Sequence, residues 1–482
     1  MKPSIVTVSG WKRPSFREAS TPSEAIAILY LLLPVLVFFI SFIRFEIAIP
    51  ACCILLYAIV STVWNTSWSI RTGDAKFFLY YVAVAALWLW LGGAGGPLFQ
   101  GDDWIKHYAI LNELATKKWP PITNSQGPAP EVLRYYLAWY IMPALALKIT
   151  GLHAQNLFLS IWSLIGVTVF FKLVSALFHT RRSAFVFPII FILYGGADII
   201  GTAITHIQIG PRFHVEWWSS WIEYASNTVS LFWVPQHALP AWIMIALIIG
   251  QTGRCTVLPV LGVAMAACLL WSPLSALGLI PFYALLIGSH GLREIALNWR
   301  TWAAFPLICL PILAYLTAGT TDIPHGFIWN YPCGAPTGYC YSTRSYLLFI
   351  VVEIAAPLIV LALSRPQYRS YLIAASLVLF LMPFIKVGLG NDLTIRGVTA
   401  ALAVLSILCV PAVLEGSRSI SLAMTVVLVI GMAASVGELM RPFFVSNHVS
   451  QESALSDVFA LRSDYRPQYL APMPIWIIRS EP

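Results

Sequence analysis

Thirteen runs of almost uninterrupted apolar residues divide the chain. Each is near the length that carries an α-helix across a bilayer, roughly 17–25 residues. They fall at 25–43, 46–64, 76–93, 155–178, 183–205, 229–250, 255–271, 273–289, 301–318, 346–363, 371–389, 397–414 and 419–436. Short polar or basic segments separate most of them, and one long interval, 94–154, breaks the rhythm. The pattern predicts an all-α polytopic membrane protein with about thirteen transmembrane helices. A transmembrane β-barrel would instead show ten-residue segments of alternating polarity. The expected organisation is a cytoplasmic segment, 1–24, a transmembrane domain, 25–436, and an external tail, 437–482.

Composition agrees. The 482 residues are 59% hydrophobic and 10% charged, whereas a soluble domain carries about a quarter charged residues. The N-terminal stretch is polar and basic, and its first apolar run, from Ala25, lacks a small-residue cleavage pattern. It reads as a retained first span. The net charge of +8 fits basic loops held on the cytoplasmic side. No segment resembles a nucleic-acid module, so no nucleic-acid partner is expected.

Orientation follows from the short loops. With the N-terminus inside, cytoplasmic segments hold fourteen Lys and Arg, among them Lys12, Arg13, Arg71, Arg181, Arg182 and Arg418. Short outer loops and span edges hold five: Arg44, Arg212, Arg344, Lys386 and Arg396. Long outer segments translocate whatever their charge. One segment decides this parse. "EVLRYYLAWYIMPALALKITG" (131–151) is long enough to span, and if it does, every later loop changes side. Tyr135, Tyr136, Trp139 and Tyr140 suit an interfacial belt, with Arg134 and Lys148 at the two ends. The segment is therefore expected to lie flat on the outer surface. The loops 94–154, 206–228 and 319–345 then face outward, together with the tail.

Six cysteines lie in or beside apolar spans and read as packing residues. Cys333 and Cys340 share the outer loop "YPCGAPTGYCY". Their wide, Gly- and Pro-containing spacing in an oxidising compartment predicts a structural disulfide. Two free thiols are the alternative.

The candidate chemistry begins at "GDDWIKHYAILNELATKKWPP" (101–121), where two carboxylates emerge from a span into the large loop. The run after Gly101 has a helical pattern, and Pro120 and Pro121 stop it. Asp103 and His107, four apart, are expected on one face, with Asp102 as the N-cap. Asp103 is thus the better candidate to point into a cavity. The plain alternative is a cap, a charge favouring the helix dipole, and a bystander histidine. "GPRFHVEWWSSWIEY" places Arg212, His214, Glu216 and Glu223 in an outer loop among tryptophans, which suit either a sugar site or a membrane belt. "VPQHALPAW" sets Gln236 and His237 between prolines within a span, where polar groups are costly and usually functional. "IKVGLGNDLTIRG" holds Lys386, Asn391, Asp392 and Arg396 between two spans. Asp392 and Arg396 can pair on a helix start, or Lys386 and Arg396 can grip a phosphate beside a helix N-terminus.

The order of these parts resembles the C-type membrane glycosyltransferases, the GT-C superfamily, which includes the protein O-mannosyltransferases and the aminoarabinose transferase of lipid A. Its members carry an acidic motif at the start of the first large external loop, followed by two juxtamembrane helices. Here Asp102–Asp103 stand for that motif. In "EVLRYYLAWYIMPALALKITG" the Tyr-Tyr and the terminal Gly match the second helix, and the leading Pro-Pro is missing. The resemblance covers about residues 76–182. It implies a transferase moving a sugar from a polyprenyl-phosphate carrier to a glycan, lipid or protein acceptor on the outer face of the cytoplasmic membrane. Asp103, with Asp102, would be catalytic. His107, Arg212, His214, Gln236, His237, Lys386, Asn391, Asp392 and Arg396 would bind substrate. Some members use a divalent metal, and Asp102 with Asp103 can ligate Mg²⁺ or Mn²⁺. An O-antigen ligase or polymerase is a second enzyme reading, and a lipid or sugar transporter one from another class. Transporters often show internal repeats with matched broken helices, and no clear repeat is visible.

The orientation has a direct test. A cysteine placed at Asn124 should react with an impermeant thiol reagent in intact cells, above the wild-type background. Reaction only after lysis would reverse the parse.

Overall fold

The computed structural model describes residues 19–69, 72–95, 98–123, 130–207, 214–219, 222–252, 254, 256–290, 298–320, 323–331, 341–388, 390–447, 449–461, 466–474 and 476–479. Arg212, Cys333, Cys340 and Asn124 lie outside them. The chain is mostly helical with few strands. Nine helices among the described residues are long and apolar enough to cross a membrane, and four shorter apolar helices accompany them. The thirteen apolar runs overlap these helices, and the 229–250 run is broken at Val234. The first helices are α1 (Pro22–Phe42), α2 (Phe45–Trp64) and α3 (Thr72–Leu91). Then come α4 (Asp103–Thr116), α5 (Ala138–Thr150) and α6 (Gln155–Ser175).

Local chemistry sets the helix starts. At α1, Thr21 Oγ1 accepts from the Glu24 N–H at 3.3 Å while Glu24 Oε2 accepts from the Thr21 N–H at 2.8 Å. This reciprocal capping box satisfies two amide donors that the first turn would otherwise leave open. Pro235–Gly250 is the central helix: every residue from Pro235 to Ile249 is buried. Protein rather than lipid surrounds it.

The 131–151 segment departs from expectation. Glu131–Leu133 is a strand, β2, and the helix begins only at Ala138. Its 13 residues span about 20 Å, short of a hydrocarbon core of about 30 Å. It does not lie flat on the surface either. Trp139 and Tyr140 are fully buried, and α5 packs against α1, α4 and α6. The aromatics expected as a belt turn inward because their polar atoms find partners there. Trp139 Nε1 donates to Ser163 Oγ at 3.3 Å, and the Tyr140 hydroxyl meets His107 Nδ1 at 2.6 Å.

The tail also departs from an extended surface run. Before β2 lies β1 (Ile122–Thr123), and the tail strand β5 (Leu470–Pro472) pairs antiparallel with β2, with Val132 opposite Ala471. Further on, the Arg479 N–H donates to the Phe42 carbonyl at 3.1 Å and Ile477 and Ile478 are buried. The tail therefore closes over the same end of the bundle as the α1–α2 turn and the first loop. Between them, β3 (His325–Phe327) and β4 (Ile385–Val387) form a second small ribbon.

One close crossing sets the position of Arg396. A Cβ on Gly278 would fall 1.8 Å from the Gly397 carbonyl oxygen. The helix Pro273–His290 thus lies directly on the backbone that carries Arg396, and Ser275 Oγ donates to the Arg396 carbonyl at 3.3 Å. Gly278→Leu should force these backbones apart and destabilise the protein by about 1–3 kcal/mol, as overpacking does. Thermal unfolding in detergent should show the lower midpoint, and an unchanged midpoint would contradict the crossing.

Candidate functional site

The site begins where a helix breaks. The short helix Asn227–Trp233 ends at Val234 (φ −148°), and Pro235 starts the next one. Phe232 and Trp233 stand in the last turn before this break, where helix carbonyls lack an intrahelical partner and need other donors. They find them on α4. Trp104 Nε1 donates to the Phe232 carbonyl at 2.8 Å, and His107 Nε2 lies 2.8 Å from the Trp233 carbonyl. This clamp turns the Trp104–His107 face of α4 into the core. It leaves Asp103 and Lys106, three residues apart, on the wall of a cavity of about 710 Å³.

His107 is therefore a correction. It shares the core face of α4 with Trp104, and it is fully buried and does not line the cavity. Asp103 pairs instead with Lys106 at 2.8 Å. The Asp102–Asp103 metal site is revised as well. Asp102 holds the N-cap position but makes no capping bond, and its Oδ1 lies 3.4 Å from Asn447 Nδ2, away from the cavity. The two carboxylates engage different partners, and an ammonium sits on the one that faces inward.

The cavity joins residues far apart in sequence. Of the predicted residues, Asp103, His214, His237, Asp392 and Arg396 line it. Among the described residues the Arg396 guanidinium makes no hydrogen bond or ion pair, so it does not pair with Asp392. Asp392 instead lies over Gly388, where a Cβ would come 1.9 Å from Oδ2.

Three predicted ligands do not line the cavity: Gln236, Lys386 and Asn391. Gln236 is fully buried, and neither atom of its amide head finds a hydrogen bond. Lys386 sits mid-strand in β4, and successive side chains of a strand point to opposite faces. Val387 lines the cavity, whereas the Lys386 ammonium lies 5.3 Å from the Tyr331 ring centroid. Asn391 is fully buried in a left-handed turn (φ +57°) that starts the Asp392 helix.

Sequence reasoning missed Lys106, Tyr136 and Tyr469 as lining residues, and it read Arg134 as the polar end of a surface helix. Arg134 is buried; its guanidinium donates to the Leu316 carbonyl at 2.9 Å and to the Pro467 carbonyl. Lys106 carried a signal, since three-residue spacing from Asp103 is helix-neighbour spacing. Tyr469 carried none, because it reaches the site only through the β2–β5 pairing.

A second polar cluster forms one wall. His214 Nε2 lies 3.3 Å from Glu216 Oε2 and 3.9 Å from Glu223 Oε1, and its Nδ1 lies 3.1 Å from Glu438 Oε1. Burial lowers the His214 imidazole, but Glu216 and Glu438 outweigh it and raise it well above its ordinary value. Burial, with Glu216 alongside, pushes the Glu223 carboxyl up to about 7. Asp103 goes the other way. Burial raises it, but the Lys106 ammonium leads the opposing charges that hold it below the usual carboxylate range. Two of the carboxylates on the cavity wall thus differ: Asp103 is held ionised at neutral pH, and Glu223 is poised near neutrality.

Comparison with known proteins finds no family model, no curated protein and no solved structure that matches this chain.

The clamp itself titrates. Burial, with Lys106 nearby, pushes His107 from 6.5 down to about 3. The unfolded chain then binds a proton that the folded chain refuses, so stability falls as pH drops below 6.5. The slope is roughly 1.4 kcal/mol per pH unit. Thermal unfolding at pH 7 and pH 5 should show this loss in wild type and a smaller one in His107→Gln. Equal losses would show that His107 does not refuse the proton.

Proposed function

We propose that the chain is a glycosyltransferase of GT-C architecture. Its thirteen apolar helices cross the cytoplasmic membrane with the N-terminus inside, and the cavity opens on the extracytoplasmic side. The observation that carries this reading is the shared cavity: the Asp103 carboxylate from the first large loop and the Arg396 guanidinium from the far end of the sequence face the same space. A cation facing a partly apolar cavity attracts an anion, and the phosphate of a polyprenyl-phosphate sugar supplies one. Its isoprenoid tail belongs in the adjacent bilayer.

The proposed step balances without further reactants. The acceptor hydroxyl oxygen attacks the anomeric carbon, and the bond from that carbon to the phosphate oxygen breaks. The bonding pair leaves with the lipid phosphate, whose charge rests against Arg396 and Lys106. The hydroxyl proton passes to Asp103, which is ionised to receive it. Negative charge near the sugar also favours its oxocarbenium-like transition state. The acceptor is a glycan, lipid or protein of the envelope.

A second reading, an O-antigen ligase or polymerase, is favoured by one observation: two arginines, Arg134 and Arg396, line the cavity with His214 and His237. Two arginines suit a donor linked through a diphosphate better than one linked through a monophosphate, so the donor decides between them.

Purified protein offered a panel of polyprenyl-phosphate and polyprenyl-diphosphate sugars should consume a monophosphate donor. Asp103→Asn should lower turnover by on the order of a hundredfold or more, while Asp102→Asn should change it little. Arg396→Gln should weaken donor binding. Consumption of diphosphate donors alone would favour the second reading. Full activity in Asp103→Asn, Asp102→Asn and the double variant would remove the acidic pair from the mechanism.

A further inference from the structure

We infer that His214, Glu216 and Glu223 bind a transition-series divalent cation, Zn²⁺ or Mn²⁺, in the cavity wall. One ligand atom from each, His214 Nε2, a Glu216 oxygen and a Glu223 oxygen, lies within 4.8 Å of the others. Around an ion with bonds of 2.0–2.2 Å, tetrahedral ligand atoms stand about 3.4 Å apart. The His214–Glu216 separation of 3.3 Å already matches. Glu223, at 3.9 Å, needs only a small side-chain rotation.

Acidic side chains near a histidine are common, so the argument rests on how these atoms are held. His214 and Glu216 are 2% and 1% exposed, and although His214 Nε2 and Glu216 Oε2 lie 3.3 Å apart, neither makes an aligned hydrogen bond. Burying such atoms unsatisfied is expensive. Their other polar atoms are committed. His214 Nδ1 meets Glu438 Oε1 at 3.1 Å, and Glu216 Oε1 accepts from the Ser226 N–H at 2.9 Å. Glu438 is fixed in turn by Arg441 and by Trp233 Nε1, whose bond to Oε2 is 3.2 Å. This is how metal-ligating histidines are prepared: a carboxylate accepts the N–H of one ring nitrogen, and the other nitrogen gives up its proton to solvent when the ion binds. An imidazole ligand disfavours Mg²⁺, which prefers oxygen, and suits Zn²⁺, while the two carboxylates also suit Mn²⁺. Three protein ligands leave a coordination position open toward the cavity.

The site stands whether or not the chain transfers sugars, and its test does not use activity. Full-length protein in detergent is stripped with chelator, loaded with Zn²⁺ or Mn²⁺, desalted and analysed for metal. Wild type should retain about one equivalent. Glu216→Gln and His214→Ala should lose it while keeping the wild-type gel-filtration profile. Glu438→Gln, which disturbs only the orienting partner, should bind roughly ten- to a hundredfold more weakly. X-ray absorption at the zinc edge of loaded wild type should show one imidazole among oxygen ligands, and it decides the matter if the variants do not fold. No retained metal, equal retention in Glu216→Gln and His214→Ala, or a spectrum without imidazole would overturn the site.

Discussion

The arrangement of this molecule's outer end depends on one interruption in its most buried region. Val234 leaves helical geometry, and Pro235 restarts the helix without an N–H to give. Inside a membrane protein the carbonyls just before such a break have little water to turn to. Trp104 and His107 of α4 answer the Phe232 and Trp233 carbonyls. The first large loop is thereby bolted to the central helices. Since α4 can rotate little without breaking both bonds, the position of Asp103 and Lys106 on the cavity wall follows from a backbone defect elsewhere.

The rest of the site is assembled by similar indirect means. Gly278 lets a helix press on the Gly397 backbone, which holds the neighbouring Arg396 in place. Arg134 ties the helix ending at Thr317 to the tail through carbonyl contacts, and Tyr469 enters with that tail. None of these supports is a charged contact with the cavity contents. Its neighbours hold the Arg396 backbone; among the described residues its guanidinium makes no hydrogen bond or ion pair, and it shares the cavity with the Asp392 and Asp103 carboxylates.

This explains what the amino-acid order made legible. The apolar runs fall on helices because each is hydrophobic enough to act almost alone, although the 229–250 run breaks at Val234 and the 183–205 run after Leu193. Asp103 was legible because a carboxylate pair after a glycine, at the mouth of a span, is rare in so apolar a chain. Facing was less legible. His107 has the spacing to accompany Asp103, but a freed carbonyl on another helix draws it inward. Lys386 has the charge for a phosphate grip, but strand alternation in β4 turns it from the cavity. The aromatics of 135–140 look like a membrane belt until Ser163 and His107 offer them partners. In each case a partner remote in sequence overrode a sound local preference, and such partners leave no mark on local periodicity.

The two polar groupings in the cavity divide its chemistry. On one side Asp103 and Lys106 pair at 2.8 Å, and Arg396 faces the same space beside Asp392. On the other, Glu216 and Glu223 crowd His214, with Glu438 behind it paired to Arg441. The basic grouping can meet an anion and the acidic grouping a cation. A phosphate-linked donor and a divalent ion would fill those roles from opposite walls of one space. The open position on such an ion would face the same volume that a sugar between them would fill. The proposed donor site and the proposed metal site are thus separable by experiment, yet they border one cavity.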